Sequence, residues 1–240
     1  MLVGLLYGYG LMAQDMINTD RPDQSDGTHT LRKRQVQLET GVLYARLDEF
    51  TRGFDNSTLI RFGVSKAFEI RFLNQYSVVR DSGYISGIRP LTISFKNLLW
   101  VQHGWLPKVA LVSYFRLPVT ISQNFPGDRL GYSFILAGRN ELSSNLKLYS
   151  NIGFTHGQEA NDISYPAALE LNDNLTEKLS VFVEYFASYQ SRTLPSNGID
   201  TGVIYALKNN FAIDLAVGSS TLKISADRFL SVGFSYRTSR

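Results

Sequence analysis

The 240-residue chain contains no cysteine, which excludes disulfides, thiolate metal sites and cysteine nucleophiles. It has three histidines, His29, His103 and His156, too dispersed to assemble a transition-metal site. No run of five like charges occurs and the formal net charge is only +3, so a nucleic-acid partner has no electrostatic footprint. No apolar stretch reaches the length of a transmembrane helix. That absence leaves a membrane barrel open, because there only alternate residues face lipid. Carboxylates are plentiful but follow no D-x-D-x-D spacing, so the sequence specifies no calcium loop. No metal and no cofactor is implied.

What the chain does have is tyrosine (13), phenylalanine (15) and glycine (19), a bias toward strands and turns. The pattern is plainest from Asp200 to Gly218. Thr201, Val203, Tyr205 and Leu207 alternate with Asp200, Gly202, Ile204 and Ala206. After a polar tip at Lys208-Asn209-Asn210, Phe211, Ile213, Leu215 and Val217 alternate with Ala212, Asp214, Ala216 and Gly218. This is the period of a β-hairpin with two unlike faces. The same unit recurs from Arg34 onward and predicts about twelve strands, near 34–44, 57–65, 68–79, 87–98, 107–117, 129–140, 145–156, 164–172, 178–190, 199–207, 211–219 and 227–237. Short connections alternate with longer ones rich in Gly, Ser, Asp or Pro, except that Leu99 to Leu106 lengthens the short set. Tight turns on one rim and loops on the other are the signature of an up-and-down antiparallel meander. An even strand count leaves both ends on the tight-turn rim.

The polar face of these strands carries Arg61, Arg71, Lys96, Arg116, Arg139 and Arg237 against Glu39, Glu69, Glu170, Glu184, Asp200 and Asp214. The opposite face, with residues such as Val42, Phe62, Phe72, Phe95, Phe115, Ile152, Val183 and Val232, is close to charge-free. A soluble sandwich with the charged face in water would satisfy this alternation. A closed barrel of about twelve strands with the apolar face inward would not, because its lumen is too wide for side chains to fill. The apolar faces run about 8 to 12 residues, the length of a tilted membrane strand. Tyr44, Tyr76, Tyr84, Trp100, Trp105, Tyr132, Tyr165, Tyr189 and Tyr236 recur near strand ends as an interfacial girdle requires. These features favour an all-β transmembrane up-and-down antiparallel barrel, its charges lining the lumen.

Residues 1–13 are apolar and end on a small residue, like the core and cleavage end of a secretory signal without its basic start. Residues 14–32 are polar and aperiodic, and read as a periplasmic lead-in or partial plug in which Asp20, Arg21 and Asp23 meet lumen charges. Residues 33–240 form the barrel.

Several stretches carry a resemblance: NTDRPDQSDGTH, IRPLTISFKNLL, VFVEYFASY, and IDTGVIYALKNNFAIDLAVGSS followed by RFLSVGFSYR. In this order, from about Thr19 to Arg237, they resemble the outer-membrane barrel family named for the meta pathway of phenol degradation, whose members are often labelled transporters. The resemblance implies a Gram-negative outer-membrane barrel that passes small solutes, aromatic ones included. It departs from the usual outer-membrane pattern at the end, where Phe234 and Tyr236 are followed by Arg237-Thr238-Ser239-Arg240. A terminal aromatic is what barrel assembly machinery usually reads.

The expected function is therefore an outer-membrane channel, with termini in the periplasm and with lipid, the assembly machinery and a small solute as partners. Within the lumen, Arg61, Arg71, Lys96 and Arg116 would form a basic ladder facing Glu170, Glu184 and Asp214, either as a selectivity path or as a compensated ion-pair network. A sealed structural or adhesive barrel is the alternative. An outer-membrane hydrolase comes third, for which His156 with Asn161, Asp162 and Ser164 is the one histidine near suitable partners.

Overall fold

A computed structural model of the chain describes residues 16–46, 50–158, 163–190, 195–220 and 228–238. The expected leader at 1–13 lies outside them. The described residues form strands and no helix: β1 Val36–Arg46, β2 Arg52–Gly63, β3 Phe68–Arg80, β4 Tyr84–Ile88, β5 Thr92–Trp100, β6 Lys108–Arg116, β7 Gly131–Glu141, β8 Leu146–His156, β9 Ile163–Asn174, β10 Leu179–Gln190, β11 Ser196–Lys208, β12 Phe211–Ser220 and β13 Arg228–Arg237. All pairings are antiparallel and, apart from β3 with β5 and β1 with β13, join sequence neighbours; β1 pairs with β2 on one side and β13 on the other, so the sheet closes. Closure pairs every strand but β4 on both sides; β4 pairs with β3 alone, and the closed wall satisfies its backbone internally as a bilayer requires.

The barrel has twelve staves because β4 and β5 are halves of one. Pro90 has no N–H to give the ladder, so β3 pairs with β4 from Tyr76 to Arg80 and with β5 from Phe68 to Leu73. Arg89 still donates its amide to Gln75 O at 2.8 Å, which keeps the halves in line. This stave starts at Tyr84, earlier than expected at 87. Strand β2 likewise starts at Arg52, not 57, because Gly53 and Asp55 continue the inward face while Phe54 and Asn56 continue the outward one.

The tight-turn rim matches the spacing of the sequence. Asn209 and Asn210 alone separate β11 from β12. The long connection from 101 to 107 contains a miniature hairpin in which His103 and Leu106 exchange both backbone bonds at 3.1 Å. Gly104 sits at its tip with φ +57°, the left-handed region open to glycine.

The interior is the reverse of a soluble core. The largest fully buried side chains include Arg61, Arg71, Lys96, Gln37, Glu39, Glu69, Glu170 and Glu184. The outward positions, among them Leu215, Val217, Val232, Phe234, Ile152 and Leu169, are exposed. An apolar exterior around a charged interior cannot be stable in water, which removes the sandwich. On the outside, ring contacts of 5.8–6.5 Å run from Phe68 through Phe95, Phe115, Phe134, Tyr132, Phe154 and Tyr165 to Tyr189. They form an aromatic band across seven staves.

Candidate functional site

The lumen is organised by the segment preceding β1. Residues 16–31 enter from the tight-turn rim, reach the middle of the barrel at residues 20–26, and return to that rim. There Ile17 is buried against Ala206 and Ala212 beside the β11–β12 turn. The segment has no regular structure, so its polar backbone needs partners, and lumen side chains supply them.

On one wall, Asp20 meets three cations: Lys96 Nζ at 2.7 Å, Arg71 Nη1 at 2.8 Å and Arg61 Nη1 at 3.4 Å. Arg61 also pairs with Glu39 at 2.7 Å and with Glu69 at 3.0 Å. The two glutamates in turn accept backbone N–H groups of the segment, Glu39 from Asp20 at 3.0 Å and Glu69 from Leu31 at 2.9 Å. Burial alone would raise the Asp20 carboxyl, but Arg61, Lys96 and Arg71 together hold it well below the usual carboxylate range. Burial, with Arg61, Lys108 and Lys96, pushes the His29 imidazole down to about 3, so it stays neutral.

Arg21 points to the sector beyond the β1–β13 seam, donating to Asp214 at 3.1 Å and to Ser231 Oγ at 2.9 Å. Gly41 and Gly233 make room for it, since a Cβ at either position would collide with its guanidinium. Asp26 is held by Tyr114 OH at 2.6 Å and by Arg71, and it exchanges two bonds with Asn151 through its backbone, at 2.6 and 3.1 Å. On a third sector, Glu184 Oε2 accepts the amides of Gln24 and Ser25 at 3.2 and 3.3 Å, and Ser25 Oγ donates to Glu170 at 2.9 Å. Asp23 lies against these glutamates. Burial and the neighbouring Glu170 and Glu184 raise its carboxyl well above the usual range.

The twelve lumen charges expected from the sequence therefore sort into sectors. Arg61, Arg71, Lys96 and Glu39 meet at Asp20 and Glu69 joins them through Arg61, while Glu170, Glu184 and Asp200 lie side by side across β9, β10 and β11. Asp214 takes Arg21. Arg116 does not join the basic ladder. Lys96 is opposite Val112, whereas Arg116 is opposite Thr92, four residues or roughly 13 Å farther along the strand. Arg139 pairs with Glu141, and Arg237 donates to Asn209 O at 3.2 Å beside the β11–β12 turn. Contributors the strand-face reading missed are Asp26, Tyr114, Asn151 and the interior bases Lys108 and Lys147. Of these, all but Asp26 sit at inward strand positions and could have been found by extending the strand parity.

Beyond residues 20–26, toward the loop rim, the lumen stays open. A chamber of about 330 Å³ is floored by Asp20 to Asp26 and walled by Leu43, Ser57, Leu59, Leu73, Gln75 and Tyr114. It leads to a polar mouth of about 580 Å³ lined by Asp55, Gln75, Arg89, Arg116, Phe125, Asp128 and Gln158. The Arg89 guanidinium lies 4.6 Å from the Phe125 ring centroid. His156 takes no part: it stacks on Tyr132 at 5.1 Å, a neighbour in the outward band, and its Nδ1 contacts Gly157 O. Asn161 and Asp162 lie outside the described residues.

Residues 19–238 match a family model described as "Putative MetA-pathway of phenol degradation". Among solved structures, an outer membrane channel from Pseudomonas putida F1 is similar at a TM-score of 0.72 with 11% identity, over 91% of this chain and 100% of that one. The KdgM porin, solved with disordered oligogalacturonate, has a TM-score of 0.60 and 9% identity over 82% of this chain and 98% of its own. The CymD monoaromatic hydrocarbon channel has a TM-score of 0.51 and 8% identity, over 88% and 89%. No curated protein matches the chain. At these identities the likeness is one of fold.

Proposed function

From the premise that this chain belongs to the family described as "Putative MetA-pathway of phenol degradation", we propose that it is an outer-membrane channel for small solutes, with its termini in the periplasm. The observation that carries this reading is the open, polar chamber inside a barrel whose exterior is apolar. A wet lumen needs no such chamber if its only task is to hold the wall together. The mouth offers both charges and an arginine-backed ring at Phe125, a lining suited to small solutes that are partly polar and partly aromatic. The similar structures are channels and porins, one named for monoaromatic hydrocarbons, and this likeness favours a non-enzymatic role.

Residues 16–31 act as a plug on the periplasmic side in this reading, and Glu39, Arg61, Glu69, Arg71, Lys96, Glu170, Glu184 and Asp214 hold it. The density of those contacts also favours a second reading, a barrel sealed for structural duty. Planar-bilayer recording separates the two. The channel reading expects steady conductance from the full chain, or gated conductance that becomes steady when residues 16–31 are deleted. Silence from both, in protein that still shifts on a gel when heated, rules the channel out and leaves the sealed barrel.

A further inference from the structure

The two charged sectors of the lumen are not treated alike. Arg61, Arg71 and Lys96 are all paired with carboxylates. The acidic sector has no such compensation. Asp23, Glu170 and Glu184 bring one carboxylate oxygen each within 4.8 Å of one another. Asp200 stands opposite Glu184 in the β10–β11 register and is only 1% exposed. Among the described residues no lysine or arginine forms an ion pair with any of the four. Lys147 lines an adjoining cavity with Asp23, Glu170, Tyr149 and Asn172, without pairing with them.

A second observation is independent of the clustering. Asp23 Oδ1, Glu184 Oε1 and both oxygens of Asp200 are buried without a hydrogen-bond partner. Glu184 makes the point most clearly. Its Oε2 is saturated by the Gln24 and Ser25 amides and the Ser25 hydroxyl, while its Oε1 has nothing. Carboxylate oxygens turned inward and left bare are strongly unfavourable unless a proton or a cation meets them. The donor set is all oxygen and has three carboxylates, with the Asp200 charge and the Ser25 hydroxyl alongside. It lacks the imidazole or thiolate that zinc or copper prefers and suits a hard divalent ion with a high oxygen count. The adjoining cavity of about 70 Å³ has room for about two water molecules to complete a coordination shell.

We propose that Asp23, Glu170 and Glu184, with Asp200 beside Glu184 adding its charge, form a calcium-type divalent-cation site that clamps the N-terminal segment to the barrel wall. Asp23 comes from the segment, Glu170 from β9 and Glu184 from β10, so an ion among them ties the segment to two staves. Depleting divalent cations then loosens the segment, and restoring them seats it.

The site has a built-in reporter, because Tyr149 lines the adjoining cavity and can sensitise bound terbium. The full chain, folded in detergent or lipid and shifting on a gel when heated, is titrated with Tb³⁺ and then with Ca²⁺. The expected result is tyrosine-sensitised emission saturating at one ion per chain and displaced by calcium. Glu170→Gln and Glu184→Gln should each weaken calcium at least tenfold, while Glu141→Gln on the rim leaves it unchanged. Folded protein with no calcium-displaceable emission, or glutamate variants that bind like the parent, overturns the proposal and leaves protons as the compensating charge. If the glutamate variants do not fold, Asp200→Asn decides, since its side chain accepts no hydrogen bond in the fold; unchanged affinity defeats the proposal. In the parent protein, a chelator should speed proteolysis within residues 16–31 at least tenfold relative to calcium, and equal rates count against the clamp. Binding is read without reference to conductance, so a silent barrel that binds calcium would sink the channel and spare the clamp.

Discussion

Arg21 and Asp214 stand 193 positions apart in the chain and meet at 3.1 Å inside the barrel. The residue before Arg21 reaches the other way, to Arg61, Arg71 and Lys96. Although the segment is aperiodic, the side chains of these two neighbouring residues diverge to either side of the β1–β13 seam and make a bolt across it. The bolt carries the first of the predictions.

Replacing Asp20 by Asn leaves three buried cations short of one carboxylate. Breaking a buried ion pair from one side costs about 3–5 kcal/mol, and the loss should appear as release of residues 16–31, with the barrel intact. Hydrogen exchange of that segment, compared with exchange of the strands, checks this: faster exchange confined to the segment is expected.

The facing of the strands predicts a contrast between two leucines. Leu215→Arg puts a guanidinium among lipid tails and should cost about 2–4 kcal/mol near the midplane. Leu43→Arg, on the chamber wall, should change stability by less than about 1 kcal/mol, because the charge meets water. Urea unfolding in lipid vesicles measures both, and equal losses would contradict the assigned faces.

Docking of the segment should depend on pH through Asp23 and Asp20 in opposite senses. Asp23, buried and faced by Glu170 and Glu184 with Asp20 beyond, and with Tyr149 and Lys147 nearby, has a raised carboxyl pKa. Its docked form therefore binds the proton more tightly than its free form does. That contribution is complete below about pH 4, the unfolded value, and is lost as pH rises through the docked value. Asp20 is depressed, so its contribution is present above about pH 4 and fades only as pH falls through its lower docked value. In a chelator, protease protection of residues 16–31 should fall as pH is raised from about 4 to 8. Protection that rose over this range would reverse the assigned sign for Asp23.

His156→Ala should leave conductance and barrel stability nearly unchanged, within about 0.5 kcal/mol apart from the stack on Tyr132. A lost lipase or esterase activity in that variant would reopen the hydrolytic reading that its outward position argues against.

Much of this molecule was legible in its residues, and the reason is the period of two. Parity alone assigns Arg61, Glu184 and Asp214 to one face and Phe62, Val183 and Ile213 to the other. It also identifies the Asn209-Asn210 turn. Parity says nothing of height along the barrel axis, however. Height depends on register, which turn lengths and irregularities set, such as the shift between Ala206 and Lys208. Hence Arg116 is expected beside Lys96 and stands far from it. The partners of Asp20 were illegible for a related reason: they come from β2, β3 and β5, and no local pattern records where an aperiodic segment will lie. The acidic residues of β9, β10 and β11 could be named, but not their lack of counter-charge, since a balanced total hides an uneven distribution.

The seam between β1 and β13 has one more consequence, for the order of events during biogenesis. Those strands are the first and last of the sheet, so the cylinder cannot be shut until β13 has been made, long after residues 16–31. Residues 16–31 are therefore available to the open sheet before its margins meet. Asp20 grips staves on the β2 side of the seam and Arg21 grips β12 on the other. The insert is thus placed to draw the two margins of the open sheet together, serving as a mandrel for the closing cylinder.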